Sequence, residues 1–219
     1  MILAGTYIVV ALLAYLLGSI PFGYILLRLF RGQDVRATGS GNIGATNVAR
    51  SAPVLGLLTL LLDAGKGFVA VIATLTFFAY AAVHAPVWAT ALCAYAGLWA
   101  ILGHVFPVWL KFKGGKGVAT AAGAFALLIP RALLIALAIF FLAILVTRYV
   151  SLGSILAGVT LPVATHFVPP RSAGESLGSP QLTILVAIDS LLIILKHHQN
   201  IRRLLAGTEH RFTLRGKSA

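Results

Sequence analysis

Long apolar runs alternate along the chain with short polar interruptions, and the run lengths suit membrane-crossing helices, which need about 20 mostly apolar residues. Seven runs qualify or come near: residues 2–29, 53–83, 86–102, 118–129, 131–147, 152–168 and 182–195. The fourth is short, so hydropathy alone would allow it to fuse with the fifth across Pro130. The placement of cations decides between the two. With seven spans and an external N-terminus, nearly every Lys and Arg from Arg28 to Lys217 falls on one face, and only Arg131 and Arg171 remain on the other. Fusion at Pro130 would send the basic tail outside, against the positive-inside rule. The expected fold class is an all-α integral membrane protein: seven transmembrane helices, N-terminus out and C-terminus in, as one domain over residues 1–219. Pro130 then marks an external turn.

The chain has 219 residues, 59% of them hydrophobic and 10% charged, and carries a formal net charge of +12. Its mean hydropathy of +0.98 lies far above that of a soluble domain. The cations are separated by apolar runs and form no soluble basic surface, so no nucleic-acid partner is expected. The first run has no basic residue before it and has Arg28, Arg31 and Arg36 at its far end, the opposite of a secretory signal, so it reads as an uncleaved span. Cys93 is the single cysteine and reads as a small buried hydrophobe. Residues 169–181, rich in Pro, Gly and Ser, read as an external loop.

Three inner-face segments break from the apolar background. The first, residues 37–50, holds Gly39, Gly41 and Gly44 among Ser40, Asn42, Thr46 and Asn47, and ends at Arg50. Glycines let backbone amides approach a ligand, and Arg offers a fork for phosphate oxygens, so the segment reads either as an anion cradle or as a flexible cytosolic loop. The second, residues 103–120, runs Gly114-Gly115-Lys116-Gly117 directly into an apolar helix, which places a lysine and unpaired amides at a helix start. It lacks the Walker A spacing. Lys111 and Lys113, beside Trp109 and Phe112, read as membrane-surface anchors. The third, residues 196–209, puts His197 and Asn200 on one face if the last helix continues, with Arg203 and Leu204 on the next turn. Ser151, at the inner end of another span, is either a ligand donor or part of a plain turn.

Deeper in the membrane, Asp63 and Lys66 lie three apart and are expected to pair, or Lys66 to bond loop carbonyls; Asp189 has no evident partner. His84 and His166 fall toward outer ends and read as structural or interfacial. Asp34 and Glu209 are the only acids on the inner face, with no nucleophile motif such as G-x-S-x-G and no H-x-x-x-x-D signature. Fixed donors and cations without a protein base suit substrates that bring their own phosphate oxygens.

In this setting G-S-G-N-x-G-x-T-N at residues 39–47, G-H-x-x-P at 103–107 leading to F-x-G-G-K-G at 112–117, and H-x-x-N-I-x-R-L-x-x-G-x-E at 197–209 resemble the bacterial acyl-phosphate:glycerol-3-phosphate acyltransferase family. The resemblance implies an inner-membrane, multi-pass enzyme with its active site facing the cytoplasm. It would make 1-acyl-glycerol 3-phosphate from acyl phosphate and glycerol 3-phosphate, without cofactor or metal. It further implies that Ser40 and Asn42, with the amides of Gly39, Gly41 and Gly44, bind the acyl phosphate. Arg50, Lys116, His197 and Asn200 would hold glycerol 3-phosphate and the transferring centre, with Thr46, Asn47, Ser151, Arg203 and the Gly114, Gly115 and Gly117 amides in support. A monomer is expected. The rival reading, a transporter or flippase, would put polar groups near the bilayer midplane, where only Asp63, Lys66 and Asp189 stand.

Overall fold

The computed structural model describes residues 2–78, 86–168 and 180–212, and every regular element among them is helical. The first of two compact units, Met1–Leu128, holds α1 (Ile2–Gly18), α2 (Phe22–Arg31), α3 (Ala45–Ser51), α4 (Pro53–Phe77), α5 (Pro86–Val105) and α6 (Val118–Leu128). The second, Ile129–Ala219, holds α7 (Pro130–Thr147), α8 (Val150–Phe167), α9 (Pro180–Lys196) and α10 (His198–Leu205).

Local chemistry sets the helix ends. Pro53 and Pro130 open α4 and α7, where a missing N–H costs nothing. Gly32, in the left-handed conformation, closes α2 by donating its N–H to the Arg28 carbonyl. The first apolar run is interrupted: Pro21 has no N–H for the Leu17 carbonyl, which accepts instead from Ile20 at 3.2 Å, and the chain restarts as α2.

Five helical runs among the described residues are long and apolar enough to cross a membrane, and six if α9 and α10 form one bent span. The segment expected as the fourth span is α6, with eleven residues. At about 1.5 Å per residue it rises about 17 Å, well short of the hydrocarbon thickness of about 30 Å. The apolar residues face outward to a degree that only lipid tolerates: just 17% of the α7 span is buried, and Leu145 and Val146 are 80% and 74% exposed. His84 and residues 169–179 of the expected external loop lie outside the described residues, as do Arg171, Arg215 and Lys217. Pro180 and Gln181 begin α9.

Within the first unit, α4 and α6 cross in backbone contact, because Gly67 lies against the Thr120 carbonyl and Gly123 against the Ala64 carbonyl, with no room for a methyl at either. Tyr7, Tyr95 and Trp99 interlock edge to face where α1 meets α5. Cys93, 1% exposed, is free and packs with Val71 and Ala124. In the second unit α8 packs against both α7 and α9. Asp189 of α9 is fully buried, and its carboxylate oxygens make no hydrogen bond among the described residues.

Candidate active site

The first polar segment is a shaped loop. Asp34 starts a 3-10 turn over Val35–Ala37 by accepting the Arg36 N–H at 2.9 Å, and its carboxylate binds the Arg36 guanidinium at 2.6 Å. Those hydrogen bonds hold the Asp34 carboxyl down at about 2. Beyond it Gly39 and Gly41 take φ of +54° and +69°, which turns the chain back on itself.

Asn47, 3% exposed on α3, fastens this turn from inside. Its amide nitrogen lies 2.9 to 3.1 Å from the carbonyls of Val35, Thr38 and Asn42, and its oxygen accepts the Ser40 N–H at 2.9 Å. Asn42 accepts the Gly44 N–H at 2.8 Å and so sets the entry to α3. The Gly41 N–H is likewise spent, on the Thr38 carbonyl. Ser40, Thr46 and Arg50 stand exposed on the outside of the loop, and an Arg50 guanidinium nitrogen lies beside Gly39. Asn42 and Asn47 thus shape the loop, while Ser40, Thr46 and Arg50 project from it.

The second segment follows α5. A 3-10 turn over Val108–Leu110 drops Leu110 into the cluster formed by Leu27, Val35, Ile43, Val48 and Ala52, so the first two segments rest on one apolar foundation at one end of the unit. Lys111 and Lys113 are exposed beside exposed Trp109 and Phe112, an arrangement suited to a membrane interface. The chain then returns along α5, with the Gly114 N–H on the Val105 carbonyl at 3.2 Å and the Gly115 N–H on the His104 carbonyl at 3.0 Å. Lys116 follows, half-buried, and Gly117 at φ +87° leads into α6.

The third segment belongs to the second unit. The axis bends by 56° between α9 and α10, at His197. Nothing in the local residue types demands this bend, but the buried His197 ring places Nδ1 2.8 Å from the Ile193 carbonyl. In the neutral ring Nδ1 then carries the hydrogen and Nε2 the lone pair. Asn200, Ser151 and Arg203 converge on Glu209: the first two donate to Oε1 at 2.8 and 2.9 Å, and Arg203 to Oε2 at 2.7 Å. Gly207, at φ +69°, folds the chain so that Glu209 reaches them.

Burial raises the Glu209 pKa, but the hydrogen bonds from Asn200, Arg203 and Ser151 outweigh it and leave the carboxyl below its ordinary range. A carboxylate depressed in the folded state contributes stability that is complete above its unfolded pKa, about 4.3, and lost as pH falls through the lower folded value. Thermal midpoints of the detergent-solubilised protein should therefore decline on acidification through that window, and Glu209→Gln should flatten the decline. An unchanged slope in that variant would show that this carboxylate does not set it.

The sequence pattern gives Glu209 no role beyond its place in the third motif, although it is one of only two acids on a strongly cationic face, which is the signal for a counter-ion. His104 likewise stands in the pattern only as part of the G-H-x-x-P motif. Its burial beneath Gly115 became visible only in three dimensions.

A family model described as glycerol-3-phosphate acyltransferase matches residues 8–207. A glycerol-3-phosphate acyltransferase of Syntrophotalea carbinolica is 46% identical over 208 residues, 94% of this chain and 98% of that protein. One of Trichlorobacter lovleyi is 48% identical over 200 residues, 91% and 94% of the two chains. Among solved structures, PlsY (YgiH), an integral membrane glycerol 3-phosphate acyltransferase crystallised in its glycerol 3-phosphate form, is similar at TM-score 0.82 and 35% identity. That match covers 94% of this chain and 96% of the other. The lysophosphatidic acid form of PlsY gives TM-score 0.79 at 34% identity, covering 94% and 95%.

Proposed function

The chain belongs to the glycerol-3-phosphate acyltransferase family, and on that premise we propose that it acylates glycerol 3-phosphate from a fatty acyl phosphate in phospholipid synthesis. The acceptor hydroxyl attacks the acyl carbonyl, the bond from carbonyl carbon to phosphate oxygen breaks, and inorganic phosphate leaves with 1-acyl-glycerol 3-phosphate as product. A phosphate oxygen takes the hydroxyl proton. The observation that carries this reading is the pair of loops on the shared Leu110 cluster, from which Arg50 and Lys116 emerge beside glycine-rich backbone.

Ser40, with the backbone around Gly39, Gly41 and Asn42, receives the acyl phosphate. Arg50 and Lys116 hold phosphate charge and steady the oxyanion that develops at the carbonyl. In the second unit, His197 and Asn200 are assigned to glycerol 3-phosphate by their motif, and Glu209, itself held by Ser151 and Arg203, accepts from the Asn200 amide. Such groups catalyse by placement and charge, so an activated donor with a good leaving group suits them better than a stable ester would.

The short α6 counts as a span in this reading, which gives seven, and the gathering of cations after α2, α5, α7 and α9 supports an external N-terminus and a cytoplasmic active face in a bacterial inner membrane. A monomer suffices, since all the residues named come from one chain. With purified protein in lipid, palmitoyl phosphate and glycerol 3-phosphate should yield inorganic phosphate and lysolipid in equal amounts. Turnover with acyl-CoA but not with acyl phosphate would sink the donor assignment.

A further inference from the structure

Three polar side chains deep in the first unit have no part in the chemistry above. Asp63 and Lys66 lie one turn apart on α4, 2% and 1% exposed, with Lys66 Nζ 2.8 Å from Asp63 Oδ1. His104, 4% exposed at the end of α5, brings its Nδ1 to 3.5 Å from the same oxygen. Apolar side chains of similar volume would fill this place at a lower desolvation cost. The reason for the cluster therefore lies in what its two ends hold.

At one end Lys66 Nζ donates to the Ile20 carbonyl at 2.9 Å and sits 5.6 Å from the centre of the Phe22 ring. Ile20 is in the break between α1 and α2, so this bond fixes where α2 begins. Gly23, in the first turn of α2, lies so close to the Ile43 carbonyl that no methyl would fit between them. The setting of α2 thereby sets the loop that bears Ser40 and Arg50. At the other end, the His104 carbonyl accepts the Gly115 N–H, and a methyl on Gly115 would meet His104 Nε2. The imidazole is thus the floor of the turn that presents Lys116.

We infer that Asp63, Lys66 and His104 are positioning residues, one buried cluster that holds both phosphate-gripping loops in register. Lys66 acts on the first loop through the α1–α2 break, and Asp63 acts on the second through His104 and Gly115. The inference rests on the reading of Arg50 and Lys116 as phosphate grips. Displacing such a grip by about 1 Å can cost about a hundredfold in rate, whereas a cluster that served only stability would alter unfolding and not substrate dependence.

Two variants test it, assayed as full-length protein in lipid with palmitoyl phosphate and glycerol 3-phosphate. His104→Gln removes the floor beneath Gly115 and should raise KM for glycerol 3-phosphate about tenfold, with KM for the acyl phosphate changed less than about twofold. In Asp63→Leu/Lys66→Met, an apolar pair replaces the ionic one, which should restore the thermal midpoint toward that of the parent. Positioning requires kcat/KM for both substrates to stay down by about tenfold or more. Full recovery of activity along with the midpoint would overturn the proposal. Should the double variant not fold, His104→Gln decides: parental kinetics there overturn it too. Lys116→Ala separates the two levels, since a fully active Lys116→Ala variant sinks the reading of that lysine. An inactive one beside parental His104→Gln kinetics sinks only the cluster's role.

Discussion

Replacing Lys116 by alanine should lower turnover about a hundredfold to a thousandfold and leave the thermal midpoint close to that of the parent. The lysine lies between Gly115, pressed onto His104, and Gly117, held at φ +87°, so its backbone direction is fixed before any substrate arrives. Immediately after it comes the first turn of α6, whose amides lack intrahelical carbonyl partners. A phosphate held there meets a full positive charge and the positive end of a helix together, and both act most strongly on the charge that grows as the acyl bond breaks. The side chain is only half-buried, so its removal opens little space in the core. Release of inorganic phosphate from palmitoyl phosphate, with glycerol 3-phosphate present, measures the loss. Activity within about threefold of the parent would mean that the lysine contributes less than about 1 kcal/mol and is not a grip.

Arg50→Ala should cost about a hundredfold in kcat/KM, and Arg50→Lys should recover little of it. The first segment has no carboxylate of its own, and Asp34, just ahead of it, is already neutralised by Arg36 at 2.6 Å. Arg50 is exposed over Gly39 and has no carboxylate partner among the described residues. A planar fork can take two oxygens of one phosphate beside the loop, while an ammonium supplies a point charge without that geometry. The contrast between the lysine and alanine variants is the informative measurement. Equal recovery of activity by lysine would reduce Arg50 to a general source of positive potential.

Hydropathy made the helical segments legible because a membrane helix must satisfy its backbone internally and show apolar side chains to lipid. The pattern marks Pro130 as a turn between spans, whereas in the structure it opens α7, because proline also suits the first turn of a helix. The break at Pro21 is not legible in the pattern, since the apolar run continues through it and the Ile20 carbonyl is covered by Lys66, a residue 46 positions away. The bend at His197 has no Pro or Gly to announce it, and the histidine ring that lies against Ile193 is an ordinary helical residue by pattern. The polar segments were found because Gly, Asn and Lys stand out against Leu and Ala. Individual duties within them were harder to read. Asn47 has the composition of a ligand donor, yet its amide is spent on carbonyls as far back as Val35, a choice fixed only when the loop closes. Ser151 and Asn200 are drawn onto Glu209 across 58 and 9 positions, beyond any helical periodicity.

The seclusion of Cys93 between Val71 and Ala124 has a practical consequence. The parent chain offers a water-borne maleimide no accessible thiol, so a cysteine introduced at Lys111 or Leu205 becomes the single addressable position without prior removal of the native one. Sealed vesicles of known sidedness, treated with an impermeant reagent, can then report which compartment each of these places faces.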